Sequence, residues 1–222
     1  MRISEILAHL KPHKTIPNTP WRAKSRWDLS FSRVAILFFG LAIFGLGDSL
    51  FIQAGLGNAP WTVLAEGLTL RTNLSIGEAT ALISLIVLLL WIPLREKPGF
   101  GTISNIVLIA TFIEVGTHIF PDQESLAMGL IYNFIGISLV GIGSALYITC
   151  GLGSGPRDGA MTGIHHKTGI RVGRVRLAIE IVVLCAGAAL GGTVGIGTAI
   201  FALLIGQSVA VSLGVISRIT RS

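Results

Sequence analysis

Long apolar runs separated by short polar segments fill the chain, at about 34–54, 78–94, 102–119, 129–150, 175–191 and 196–216. A helix needs roughly 17–25 such residues to cross a bilayer. The first and fourth runs suffice by themselves, and the second and fifth require extension into flanking polar turns. None carries the polar stripe of a helix on the surface of a soluble domain. The pattern therefore predicts an all-α membrane protein of about six transmembrane helices.

The chain also aligns with itself, without a gap, at a shift of 96 residues. Gly40…Gly45-Leu46-Gly47 falls on Gly136…Gly141-Ile142-Gly143, and Gly99-Phe100-Gly101-Thr102 falls on Gly195-Ile196-Gly197-Thr198. About 23 of 78 aligned positions are identical, clustered in motifs. Each copy holds three predicted spans, and an odd number makes the second copy enter the membrane from the opposite face. Two inverted three-helix repeats are expected, over 34–119 and 129–216, an architecture common among secondary transporters.

Straight after its first span each copy carries a Gly-Leu-Gly-x-x-Pro break: Gly55, Gly57 and Pro60, then Gly151, Gly153 and Pro156, with Gly155 just before the second proline. Proline removes a backbone donor and biases its predecessor away from helix, while glycine permits tight turns. The segments that follow, Trp61 to Leu74 and Arg157 to Ile170, are too short to span and are expected as re-entrant or interfacial helices. Broken segments at matching places in two halves point to a transporter site. The first copy continues Pro60-Trp61-Thr62 and the second Pro156-Arg157-Asp158.

Composition sharpens this picture. Of 222 residues, 51% are hydrophobic and 13% charged, against roughly 25% charged in soluble domains. The net charge of +6 does not predict a nucleic-acid partner, because all but Arg71 of the 17 lysines and arginines fall in tails and alternate loops, counting Arg176 at a membrane edge. That distribution orients spans. It places both termini in the cytoplasm, with a basic tail over 1–33, mostly disordered and with a short amphipathic stretch at 3–10, and a cytosolic end at 217–222. Cys150 and Cys185 lie in apolar runs without ligand spacing, so no disulfide, metal or cofactor is expected. His165-His166 diverge by about 100° on a helix and form no facing pair.

Inside the predicted spans lie Asp48 in the first, Glu114 in the third and Glu180 in the fifth. Ionisable groups at membrane depth face a bundle interior or water. The repeat partner of Asp48 is Ser144 and that of Glu180 is Ser84, so an acid in one half meets a hydroxyl in the other. Arg176 stands four residues before Glu180 as its expected ion-pair partner. Glu66 and Glu78 are expected to be solvated near the outer surface. Gly187, Gly191 and Gly195 form a small-residue series suited to close helix packing, on a neighbour or a second protomer.

The paired breaks, Gly155-Pro156-Arg157-Asp158-Gly159, Thr168-Gly169 and Gly191-Gly192-Thr193-Val194-Gly195-Ile196-Gly197-Thr198 together resemble the YczE/YyaS/YitT family of bacterial membrane proteins, most closely its YczE branch, over about 36–216. The resemblance implies a bacterial cytoplasmic membrane and supplies no mechanism. Where that family tends to have Pro-Trp-Asp, this chain has Pro60-Trp61-Thr62. Two functions remain open. One is a small-solute transporter whose pathway runs through Asp48, Pro60, Trp61, Thr62, Pro156, Arg157, Asp158 and Glu180. The other is a non-transporting accessory protein that binds a cytosolic or membrane partner. No nucleophile or metal set predicts an enzyme. Besides the lipid bilayer, a homodimer is an expected partner, since six helices enclose little volume.

Overall fold

The computed structural model describes residues 16–220; the amphipathic stretch expected at 3–10 lies outside them. Nine helices and no strands occur among the described residues: α1 (Phe31–Ala54), α2 (Pro60–Thr69), α3 (Ile76–Leu89), α4 (Trp91–Leu94), α5 (Phe100–Ile119), α6 (Leu126–Cys150), α7 (Pro156–Thr168), α8 (Val172–Leu190) and α9 (Ile196–Ile219). Among the described residues five segments are long and apolar enough to cross a membrane: α1, Ile76–Leu94, α5, α6 and α9. The remaining expected span, 175–191, falls in α8, whose 19 residues include Arg174, Arg176 and Glu180 and so make it less apolar.

Helices α1 and α6 form the centre. They cross antiparallel on glycines: a Cβ built on Gly40 would lie 3.0 Å from the Gly143 carbonyl oxygen, and one on Gly47 2.9 Å from that of Gly136. Backbones come this close only where side chains are absent. Outside this pair, α5 packs on α1 at Gly45, against Ile109 and Phe112, and α9 packs on α6 at Gly141, against Ser208.

The two breaks end the central helices alike. Gly55 and Gly151 are left-handed, with φ of 64° and 68°, and each returns its N–H to the carbonyl three residues earlier. Gly57 and Gly153 follow with φ of 102° and 114°. Each break then clamps the start of a helix from the other half. Gly197 N donates to Leu56 O at 2.7 Å, and Gly101 N donates to Leu152 O at 2.8 Å. Pro60 and Pro156 open α2 and α7 in the first helical turn, where a missing N–H costs nothing.

Both short helices are exchanged between halves. Helix α2 lies against α8, where Gly67 meets the Gly187 carbonyl and Gly187 meets the backbone of Val63 and Leu64. The small-residue series of α8 thus packs within this chain at Gly187, Gly191 caps the helix with φ 104°, and Gly195 abuts Leu56. Helix α7 lies against α3 and α4, where Gly159 meets the Trp91 ring and Gly163 meets Leu94.

Of the basic tail, the described part 16–30 is no free coil. Ala23 N donates to Cys150 O at 2.8 Å, Trp21 Nε1 to Thr149 Oγ1 at 3.2 Å and Thr19 Oγ1 to Thr149 O at 3.1 Å. The strap satisfies carbonyls that the end of α6 leaves open. Arg33 pairs with Asp28 at 3.1 Å, and Arg26 donates to Lys97 O. Beside Asp28 the Lys24 backbone N–H, which donates at 2.9 Å, and the Arg33 guanidinium hold its carboxyl below the usual range.

Candidate functional site

A cavity of about 160 Å³ lies where the two breaks converge on the central pair. Its wall includes Asp48 of α1, Pro60 and Trp61 of α2, Gly155 before α7, Arg157 and Asp158 of α7, and Arg176 and Glu180 of α8. Ser84, Asn105, Ser144 and Tyr147 add polar atoms, and Phe44, Ile109, Val140 and Ile205 close the apolar parts.

Asp48 is 2% exposed and accepts from the Thr62 hydroxyl at 3.2 and 3.1 Å. Thr62 therefore stands behind Asp48 and fixes its carboxylate. The Arg157 guanidinium lies 4.9 Å from the centre of the Trp61 ring. Trp61 and Arg157 occupy equivalent repeat positions, so the two breaks meet through a cation–π contact. Asp158 accepts from the Tyr147 hydroxyl. Arg176 Nε donates to Glu180 Oε1 at 2.8 Å, the pair expected from their spacing. Pro156 stays off the wall; its carbonyl accepts from buried Trp91 Nε1 at 2.9 Å, which anchors the start of α7. Gly55, Gly57, Gly151 and Gly153 shape the breaks outside the cavity, whereas Gly155 borders it.

Three roles were not foreseen. Tyr147 holds Asp158, and the trace of this in the sequence is a phenol where the other repeat has Phe51. Trp91 was hidden in an apolar run. Glu66 is a correction, for it is no solvated surface acid. It accepts from Asn58 Nδ2 at 2.8 Å, Thr193 N at 2.7 Å and Thr193 Oγ1 at 2.7 Å, tying the first break to the turn before α9. Glu78 instead caps α3 with Ser75, and Glu114 accepts from Gly77 N at 2.9 Å. His165 Nδ1 lies 2.6 Å from Ile170 O and His166 Nδ1 3.2 Å from Glu96 Oε1, both away from the cavity.

The walls differ in closure. Gly77 on α3 is packed against the Ala110 carbonyl and Glu114 of α5. Their repeat partners, Gly173 on α8 and Gly206 on α9, have nothing within 4 Å. The cavity reaches toward this gap, lined by Arg176 and Glu180 on one side and Phe201, Ile205 and Val209 on the other.

Apolar helices around a small polar cavity define a helical membrane protein. The chain matches the family of unknown function DUF6198 over residues 31–213 and belongs to it. It is similar to an uncharacterized protein of Haemophilus influenzae, 44% identical over 94% of this chain and 96% of that one. It is 36% identical to the uncharacterized membrane protein YczE of Bacillus subtilis over 85% of each chain. With YyaS of the same organism it shares 30% identity over 81% of this chain and 91% of that one. The YczE/YyaS resemblance is thereby shown, with YczE the nearer of the two. No solved structure matches.

Proposed function

We propose that this chain is a small-solute transporter of the bacterial cytoplasmic membrane, built on two inverted repeats that share one central site, with both termini in the cytoplasm. The observation that carries the proposal is the reciprocity of contacts under the 96-residue shift. Gly40 against Gly143 becomes Gly136 against Gly47, Gly57 against Gly195 becomes Gly153 against Gly99, and Gly45 against Phe112 becomes Gly141 against Ser208. Contacts between antiparallel halves that exchange in this way are what a pseudo-two-fold axis in the membrane plane generates. Trp61 and Arg157, which match under the same shift, both border the cavity and support this reading.

The closed α3–α5 wall and the gapped α8–α9 wall support access from one side at a time. Exposed Arg22, Lys24, Arg26, Arg95, Lys97 and Lys167 gather around the strap, the turn before α5 and the end of α7, which supports a cytoplasmic assignment for that end. In this reading α8 crosses the membrane as the sixth span, its charges turned partly to the cavity. The chain is not an enzyme in this proposal. The same basic end favours one second reading, an accessory protein that docks a cytosolic partner there.

Single cysteines at Asn58 and Ser154, in a background lacking Cys150 and Cys185, test the proposal with membrane-impermeant thiol reagents. Ser154 labels from the cytoplasm, and Asn58, 3% exposed, labels from outside only when the α3–α5 wall opens. Labelling of both from one common side refutes the inverted repeat. A protein in which Asn58 never labels under any solute gradient loses the transport reading, and the accessory reading then leads.

A further inference from the structure

We infer that the central cavity takes a small zwitterion of amino-acid type, its carboxylate on Arg157 and its ammonium on Asp48. The inference rests on the cavity being a solute site and adds the class of solute.

The hydrogen-bonding capacity left open in the wall leads to this class. Among the described residues the Arg157 guanidinium makes no hydrogen bond to protein; its contacts are the Trp61 ring and the electrostatic fields of Asp48, Asp158 and Tyr147. A guanidinium whose neighbour is a ring face has its N–H donors still open, and that fork of donors matches a carboxylate. The starts of α2 and α7 border the same space and add positive potential. Asp48 has one protein donor, Thr62, which leaves lone pairs for a cationic donor. The other charges are engaged: Asp158 with Tyr147, and Glu180 with Arg176.

Charge balance separates the alternatives. By formal charge the wall carries Asp48, Asp158 and Glu180 against Arg157 and Arg176, three acids to two bases. A simple anion would deepen that excess and leave Asp48 facing it. A simple cation would leave Arg157 without an acceptor. A zwitterion satisfies both groups and changes no net charge. The cavity volume of about 160 Å³ has room for several water-sized groups and suits a small solute.

The test is scintillation-proximity binding of tritiated alanine to the full chain in lipid nanodiscs, with acetate, ethylamine and glycine as competitors. Alanine binds saturably, glycine competes, and acetate and ethylamine compete at least about tenfold more weakly, since each forgoes one charge-assisted contact. R157Q abolishes binding and R157K weakens it. D48N weakens alanine while bringing acetate level with it, a change of preference that misfolding does not produce. Acetate or ethylamine competing as well as glycine in the unaltered chain overturns the inference, and so does the absence of saturable alanine binding. Proteoliposome flux separates the two levels. Binding without uptake removes transport and keeps the zwitterion site, whereas uptake of another solute without alanine binding does the reverse.

Discussion

Gly159→Ala should be among the most damaging single-methyl additions in the chain, because α7 is seated on a tryptophan. A Cβ at Gly159 would lie within 2.6 Å of three atoms of the Trp91 ring. The ring is 2% exposed and cannot step aside without stretching its bond to Pro156 O, now 2.9 Å. Overpacking of this kind costs about 1–3 kcal/mol, and loss of the hydrogen bond about 0.5–1.5 kcal/mol more. The sum is about 2–4 kcal/mol, which by the scaling for soluble domains of this size lowers the unfolding midpoint by about 4–16 °C. Buried Cys150 is the reporter: in a C185S background a thiol-reactive dye follows its exposure during heating in detergent. Gly173→Ala is the control, since nothing lies within 4 Å of that position. The first half solves the same contact with sizes reversed, Val63 facing Gly187, so Trp91→Gly combined with Gly159→Val should recover part of what each change loses. A Gly159→Ala midpoint equal to that of Gly173→Ala would refute the argument, as would a double variant no better than its worse single.

Other expectations follow from separate parts of the fold. Asp28 is held charged in the folded strap, so its stabilising effect is complete above the unfolded carboxylate range and is lost as pH falls through its lower folded value. Cleavage of the strap at Arg22, Lys24 or Arg26 by an acid-tolerant protease should rise below about pH 4, and D28N should cleave readily at every pH. Gly57→Ala combines φ 102° with overlap on Gly195 and should abolish monodisperse protein, whereas Gly169→Ala, at φ 73° in open space, should retain it; equal yields would refute the clamp between halves. In a chain lacking Cys150 and Cys185, G173C with G206C should resist direct oxidation yet be bridged by a long bis-thiosulfonate, and alanine should speed the direct disulfide, which requires Cα atoms within about 7 Å. Prompt oxidation without solute would show that the gap is not there.

Much of this was legible in the sequence because hydropathy, glycine and proline act locally. The central helices and both breaks follow from their own residues, and the 96-residue shift sets Trp61 opposite Arg157. Contacts between distant segments were not legible. Glu66 looked like a surface acid because its partner Thr193 is 127 residues away. Trp91 looked like one more apolar residue because nothing local reveals that its indole N–H meets the carbonyl of Pro156. The strap over 16–30 reads as polar coil, and its order comes from the carbonyls at the end of α6, which a composition argument does not register.

Under the 96-residue shift glycines match and charges do not, and that difference bears on how the proposed site would work. Four of the five ionisable acid and arginine side chains on the cavity wall, Arg157, Asp158, Arg176 and Glu180, belong to the second half, where the first has Trp61, Thr62, Thr80 and Ser84. The open wall carries Arg176 and Glu180, and at the matching positions the closed wall carries hydroxyls, with Thr80 2% exposed and Ser84 5%. Closing α8 onto α9 would strip water from Arg176 and Glu180, whereas opening the closed wall gives up the bond from Gly77 N to Glu114 near its end and dries no further charge. Without compensation the charged side should therefore rest open. Their 2.8 Å ion pair reduces the desolvation penalty, though a buried pair rarely recovers all of it. A solute that neutralises Arg157 and Asp48 lowers the remaining cost of drying the cavity, so the occupied site closes more readily than the empty one. Under the transport proposal, the placement of the charges would couple closure to occupancy. Replacing Arg176 and Glu180 together by Thr and Ser, as in the first half, should remove the resting bias and let G173C and G206C join without solute.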